Sequence, residues 1–304
     1  MSTDVLARIR QALPGLRPTE QRIGAAILAD PTAFVGVTVA DLARVCETSL
    51  ASVNRFCHSL GYRGYPDFRL ELAFAARSEE AAQARFGVSD SDISPSDSVQ
   101  DVVAKIAYHE ASTVQETAAG IDLQSLDAVA EAIIGASRID IYGVASSGLA
   151  GTDLQQKLHR IGMTCHNWTD IHLALTSAAL LTEGTVAIGI SHSGRTVETN
   201  HALAEAKRAG ATTVAITNHP ESPLAASADL VLTTFARETR YRSGAMSSRI
   251  AQLTVVDFLF VRIAQRTYDS VAESLKATYT AVQLHRLGDD APTRGCSACR
   301  SGTI

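Results

Sequence analysis

The chain has 304 residues, a net charge of −5, 46% hydrophobic and 19% charged residues; it is long enough for two domains with separate cores and its composition is unlike that of a disordered or fibrous chain. No apolar run approaches the roughly 20 residues a membrane helix needs, so a membrane partner is not expected. Cys46, Cys57, Cys165, Cys296 and Cys299 are odd in number and scattered, which excludes a disulfide framework.

The opening stretch, MSTDVLARIRQALPG, mixes acidic and basic residues and lacks the apolar core of a signal peptide, so an unprocessed cytoplasmic protein is expected. Residues 1–77 hold nine Arg, no Lys and seven acidic residues, a net +2 that leaves −7 for the remainder. A mildly basic segment joined to an acidic one is the distribution expected of a DNA-contacting unit attached to a ligand-binding unit.

Pro18-Thr19-Glu20 opens a helix, with Thr19 as its cap and Ile23, Ile27 and Leu28 at helical spacing. It ends at Asp30-Pro31, and a short helix is expected over Pro31–Val35. Thr38 then caps a short helix that buries Val39, Leu42, Ala43 and Cys46. Ser49 caps a second, Leu50–Leu60, that buries Val53, Phe56 and Leu60, and Gly61 is its left-handed stop. Two short helices joined this tightly make a helix-turn-helix, whose second helix enters the DNA major groove N-terminus first. Beyond Ser49 at that leading end, the outward residues are Ala51, Ser52, Asn54, Arg55 and His58, with Arg63 in the following loop. Ser and Asn can bond base edges, and Arg can fork onto guanine or a phosphate. The plainer alternative is a small helical domain with solvated polar residues.

Residues 78–100 are rich in Ser, Asp, Glu and Ala and read as a linker, with the preceding helix continuing through Arg85. From 101 to 285, helical stretches alternate with β-branched runs. Strands are expected at Ile139–Val144, Thr164–Trp168, Thr185–Ile190, Thr213–Thr217 and Leu230–Thr234, and helices include Val102–Thr117, Leu149–Ile161, Val197–Ala209 and Ile250–Gln265. The fold class is therefore an all-α helix-turn-helix domain (1–77) followed by an α/β three-layer sandwich (101–285). Its five-stranded parallel sheet has the flavodoxin-like strand order, and the polar residues 286–304 form a disordered tail. Ligands bind such sheets at the C-terminal strand edge where chain direction reverses, between strands one and three. The loops there are Gly143-Val144-Ala145-Ser146-Ser147-Gly148 and Ser191-His192-Ser193-Gly194-Arg195-Thr196. Both lead into helices, and both are small and hydroxyl-rich, which suits phosphate. Neither is a Walker loop, and Ala145 breaks the GxGxxG pattern, so neither ATP nor a nicotinamide cofactor is expected. His192, His219 and Glu238 are the candidate bases for any enzymatic role; a surface position is expected for His219. No metal-ligand cluster stands out, and the lone CxxC of Cys296 and Cys299 lacks the second ligand pair that a zinc site needs.

The run LARVCETSLASVNRFCHSLGYRGYPDFRLEL, with Arg55-Phe56-Cys57, Leu60-Gly61-Tyr62, Gly64-Tyr65 and Asp67-Phe68, resembles the DNA-binding domain of RpiR-family regulators. The two later loops resemble the ligand-binding segments of SIS (sugar isomerase) domains. That resemblance implies a phosphate grip by Ser191, Ser193, Gly194 and Thr196, with His192 contributing its backbone and Ser146 and Ser147 the first loop. Ser222-Pro223-Leu224-Ala225, Ala228-Asp229, Leu232, Glu238 and the run Ser247 to Leu253 fit the same domain. It implies a regulator that binds operator DNA, is modulated by a phosphorylated sugar, and works as a homodimer or homotetramer without catalytic residues. A phosphosugar isomerase or lyase with a helical extension is the alternative.

Overall fold

The computed structural model describes residues 5–88, 93–236 and 245–283; Glu238, Cys296, Cys299 and the tail 286–304 lie outside them. Five helices come first: α1 (Val5–Ala12), α2 (Pro18–Ala29), α3 (Val39–Val45), α4 (Leu50–Ser59) and α5 (Tyr65–Phe86). The opening stretch is thus a helix, held by Val5, Leu6 and Ile9, which are all buried. Thr19 is not the cap of α2. Arg17 holds that place, Pro18 fills the first helical position where its missing N–H is no loss, and Arg17 N donates to Glu20 Oε2 at 3.4 Å. The expected helix after Pro31 is a single 3-10 turn, Thr32–Phe34.

Thr38 and Ser49 cap α3 and α4 by accepting from Asp41 N and Ser52 N. The turn between them places Glu47 at φ 49° and returns Thr48 N to Ala43 O at 2.8 Å. After α4, Gly61 sits at φ 82° and Tyr62 N bonds Cys57 O at 2.9 Å, a Schellman closure. Phe68 of α5 anchors the unit, edge-on to Phe56 at 5.6 Å and to Tyr62 at 5.5 Å, within a core that also holds Ile23, Ile27, Leu42 and Val53.

Helix α5 runs on to Phe86 and closes on Gly87 at φ 68°, so residues 78–86 of the expected linker are helix, as their alanines favour. Beyond it, α6 (Val99–Gly120) packs along α5, with buried Tyr108 donating to Glu79. The rest alternates: α7 (Leu123–Gly135), β1 (Arg138–Gly143), α8 (Ser146–Arg160), β2 (Cys165–Trp168), α9 (Ile171–Ala178), β3 (Thr185–Ile190), α10 (Val197–Arg208), β4 (Thr212–Thr217), α11 (Pro223–Ser227), β5 (Leu230–Thr233), α12 (Met246–Arg266) and α13 (Tyr268–Gln283). All strand pairs are parallel, in the order β2-β1-β3-β4-β5.

The two sheet faces differ in side-chain size. Ile139, Ile141, Val186, Ile188, Val214 and Ile216 meet α7, α8 and α12. Ala187 and Ala215 meet Ala202, Leu203 and Leu224 of α10 and α11 on the other face. Gly189 belongs to that second face, where a Cβ would stand 3.1 Å from Leu224 and 3.2 Å from Leu203. Small residues let α10 lie close to the sheet, and this proximity sets the position of the loop that precedes it. A charge lies within the sheet: fully buried Asp140 of β1 accepts from Arg138, from Trp168 Nε1 (2.9 Å) and from Ser177 Oγ (2.5 Å).

Candidate functional site

The β1–α8 and β3–α10 loops stand side by side where chain direction reverses, and with the start of α12 they enclose a cavity of about 320 Å³. Ser146, Ser147, Ser191, His192, Ser193 and Thr196 line it, joined by Val144, Ala145, Ala245 and Ser248. The N-termini of three helices, α8, α10 and α12, therefore meet at one space, each bringing the positive end of its dipole.

The first loop is tight. A Cβ on Gly143 would fall 2.9 Å from the Ser147 backbone, and Ala145 takes φ 52°, ψ −123°, a strained conformation of the kind that concentrates at ligand sites. Ser147 Oγ accepts from the buried Gln252 Nε2 at 3.0 Å, which leaves the Ser147 proton for another acceptor. In the second loop, buried Ser191 shares a hydrogen bond of 2.9 Å with Thr196, and Ser193 Oγ accepts from Arg195 N at 3.2 Å. Gly194 is at φ 60° with its α-carbon against Ser222, where a Cβ would lie 2.1 Å from Oγ. His192 O accepts from Asn218 N at 3.0 Å and from Thr217 Oγ1 at 3.2 Å, so its carbonyl faces β4 and its side chain faces the cavity.

His219 is half-buried, not a surface residue as the sequence suggested. Its ring stands edge-on to His192 at 5.7 Å, and burial, with the Arg195 charge nearby, holds its pKa below the ordinary histidine value. Among the described residues no group of three His, Cys, Asp or Glu is arranged to hold a metal ion.

On α4, Ser49, Ala51, Asn54, Arg55 and His58 are exposed. Ser52 is not: it is buried, bonding Ser49 Oγ at 3.0 Å and accepting from Arg55 Nη2 at 2.9 Å. The outward assignment of Ser52 is therefore corrected, because as the N3 residue it turns back toward its own cap. Arg55 stays half-exposed but lies 4.0 Å from the buried carboxylate of Glu20 on α2, a neighbour no reading of α4 alone reveals. His58 Nδ1 is 3.0 Å from Tyr62 O, and Arg63 pairs with Asp67 at 2.7 Å. Leu50, the first residue of α4, is half-exposed, an apolar side chain beside the polar ones at the leading end of the helix.

Residues 3–79 match the family described as helix-turn-helix domain, rpiR family, and residues 132–262 match the SIS domain. An HTH-type transcriptional regulator of Caldanaerobacter subterraneus subsp. tengcongensis is 40% identical over 287 residues, 94% of this chain and 100% of its own length. This chain belongs to the rpiR family of helix-turn-helix transcriptional regulators. Among solved structures, the Vibrio vulnificus NanR protein complexed with ManNAc-6P is similar to this RpiR regulator with a TM-score of 0.59 and 29% identity, over 93% of this chain and 100% of that one. The same sequence also resembles part of a longer protein, the bifunctional protein glk of Paraburkholderia xenovorans (strain LB400), at 33% identity over 87% of this chain and 40% of that protein. The rpiR-family match includes α4, and the SIS match includes the loops and the start of α12 that line the three-helix cavity. Among the described residues, no helix of the regulator is long and apolar enough to cross a membrane.

Proposed function

We infer that the regulator's affinity for operator DNA is set by a phosphorylated sugar whose phosphate lies among Ser146, Ser147, Ser191, His192, Ser193, Gly194 and Thr196. The observation that carries this reading is the convergence of three helix N-termini on one hydroxyl-lined cavity. Backbone N–H groups and aligned dipoles suit a dianion without any lysine or arginine in the lining. That NanR was solved with ManNAc-6P, a phosphosugar, supports the same ligand class.

The phosphosugar is a signal here, and the chain is not an enzyme: the ligand site is fused to a DNA reader, and the relative of matching length is named a regulator. Residues 1–77 form the DNA-binding unit and 101–285 the ligand unit. At the DNA, Ser49, Ala51, Asn54, Arg55, His58 and Arg63 face the groove and its flanking phosphates, and Leu50 is placed for a thymine methyl. Two half-sites need two such helices, so the working form is a homodimer or homotetramer in the cytoplasm. Val99 and Val103 on α6 and Val261 on α12, all more than 60% exposed, supply apolar surface for self-association.

Thermal melts of the full chain against a panel of phosphorylated sugars test the reading, with the same mixtures assayed for aldose–ketose conversion. A rise in melting temperature without conversion is expected. Conversion of the sugar, or no shift with any of them, contradicts it. Replacing Arg55 by Ala should weaken DNA binding by roughly 1–3 kcal/mol if its guanidinium reads a base.

A further inference from the structure

A second cavity, of about 170 Å³, opens beside the first. Its walls come from both units: Ala7 and Arg10 of α1, Glu116 of α6, and His192, Asn218, His219, Phe235 and Ala236 of the ligand domain. His192 lines both cavities, so the two are neighbours across one side chain. Together they offer about 490 Å³, within the roughly 300–1,000 Å³ of small-ligand sites.

The second cavity carries charged and imidazole side chains where the first carries mainly hydroxyls. Arg10 Nη1 lies 3.2 Å from both Glu116 oxygens, and their side chains are only 21% and 11% exposed. The pair links α1 to α6 of the ligand domain. Each partner is fixed to its own body. Arg10 sits on α1, whose Val5, Leu6 and Ile9 are locked in the helix-turn-helix core. Glu116 precedes Thr117, fully buried, whose Oγ1 donates to Phe235 O and accepts from Phe235 N, both at 3.3 Å. The pair is thus a joint between two rigid pieces, with its side chains on the wall of the ligand-side cavity.

We propose that this second cavity receives the hydroxyl-bearing end of the phosphosugar, and that the Arg10–Glu116 pair is the joint through which occupancy repositions the DNA-binding unit. The proposal rests on the phosphate site of the preceding subsection. A carboxylate, a guanidinium, an amide and two imidazoles match a polyhydroxyl chain, which both donates and accepts. A hydroxyl that bonds Glu116 competes with Arg10, and the occupied state then favours a different seating of α1. A ligand shifts such an equilibrium only through contacts that differ between the two seatings, and this joint supplies them. Inorganic phosphate, which fills the first cavity alone, leaves α1 where it is.

The full-length protein is titrated calorimetrically with N-acetylmannosamine 6-phosphate, glucose 6-phosphate, ribose 5-phosphate and inorganic phosphate, alongside the variants Arg10→Ala and Glu116→Gln. Affinity for the tightest sugar phosphate should fall at least tenfold in both variants, with inorganic phosphate unchanged within twofold. Hydrogen exchange of residues 5–12 should change on adding that sugar to the wild type, and should not change with phosphate. Glu116→Gln is close to isosteric, so it keeps the test valid should Arg10→Ala destabilise the fold. Sugar affinity within twofold of wild type in Glu116→Gln, or unaltered exchange of α1, overturns the joint while leaving the phosphate site standing. Failure of the wild type to bind any of the four ligands overturns the phosphate site itself, and the joint with it.

Discussion

Replacing Gly194 by Ala tests the geometry of the second ligand loop at a single atom. At φ 60° the added Cβ would stand 2.4 Å from Ser222 Cβ and 2.1 Å from Ser222 Oγ. A rotamer change can move Oγ, but Ser222 Cβ is fixed to the backbone, so one of the two chain segments must shift. The left-handed conformation itself costs roughly 1–2 kcal/mol for alanine. Displacing Ser222 Oγ from Ala225 N, where it caps α11, removes about 1 kcal/mol more. The total, roughly 2–3 kcal/mol, corresponds to a fall in Tm of about 5–10 °C for a domain of this size. Gly184 is the internal control: φ is 81° and a Cβ would meet nothing within 4 Å, so Gly184→Ala carries the backbone penalty alone. Differential scanning calorimetry and phosphosugar titration of both variants decide the matter. If Gly194→Ala melts with Gly184→Ala and binds phosphosugar as the wild type does, Gly194 is not held against Ser222 in the way described.

Three further outcomes follow from the same structure. Burial pushes the Cys57 and Cys165 thiols up to about 12, so neither should react with an aromatic disulfide reagent at pH 8 until the protein unfolds; rapid native labelling, mapped by mass spectrometry, would contradict their burial. Asp140→Asn removes the charge that Arg138 faces across 2.9 Å and should destabilise the ligand domain by about 3 kcal/mol in urea unfolding, with the helix-turn-helix core unaffected by near-ultraviolet probes. Glu47→Gly relieves a left-handed side-chain residue in the α3–α4 turn and should stabilise that unit by roughly 1 kcal/mol; a loss of stability would mean the turn depends on the Glu47 side chain.

Much of this architecture is legible in the sequence because local chemistry and global fold agree. Thr38, Ser49 and Gly61 mark helix ends by the hydrogen bonds and backbone angle they supply, and the runs at 139–144 and 185–190 are short and mostly apolar, Asp140 apart, as strands buried on both faces should be. The loops at Gly143 and Ser191 are visible through their small residues and their place at the strand reversal. What escapes is non-local. Ser52 counts as outward on a helical wheel, yet its cap draws it in. Glu20 is remote from Arg55 in sequence, and the approach of Arg10 to Glu116 spans 106 positions; neither follows from a periodicity. His219 resembles a surface turn residue until His192 packs against it. The strain at Ala145 is equally hidden, since alanine gives no hint of a positive φ.

Coupling between the loop cavity and DNA is measured by fluorescence anisotropy of the full-length regulator on a labelled duplex selected from random DNA, titrated with the tightest sugar phosphate of the panel. The wild type should change its DNA affinity at least tenfold on saturation, about 1.4 kcal/mol of coupling, and the Ser191→Ala, Ser193→Ala double variant should bind the same DNA equally well with no response to the sugar. A sugar phosphate that binds the wild type yet leaves its DNA affinity unchanged, or a double variant that responds as the wild type does, would contradict the account.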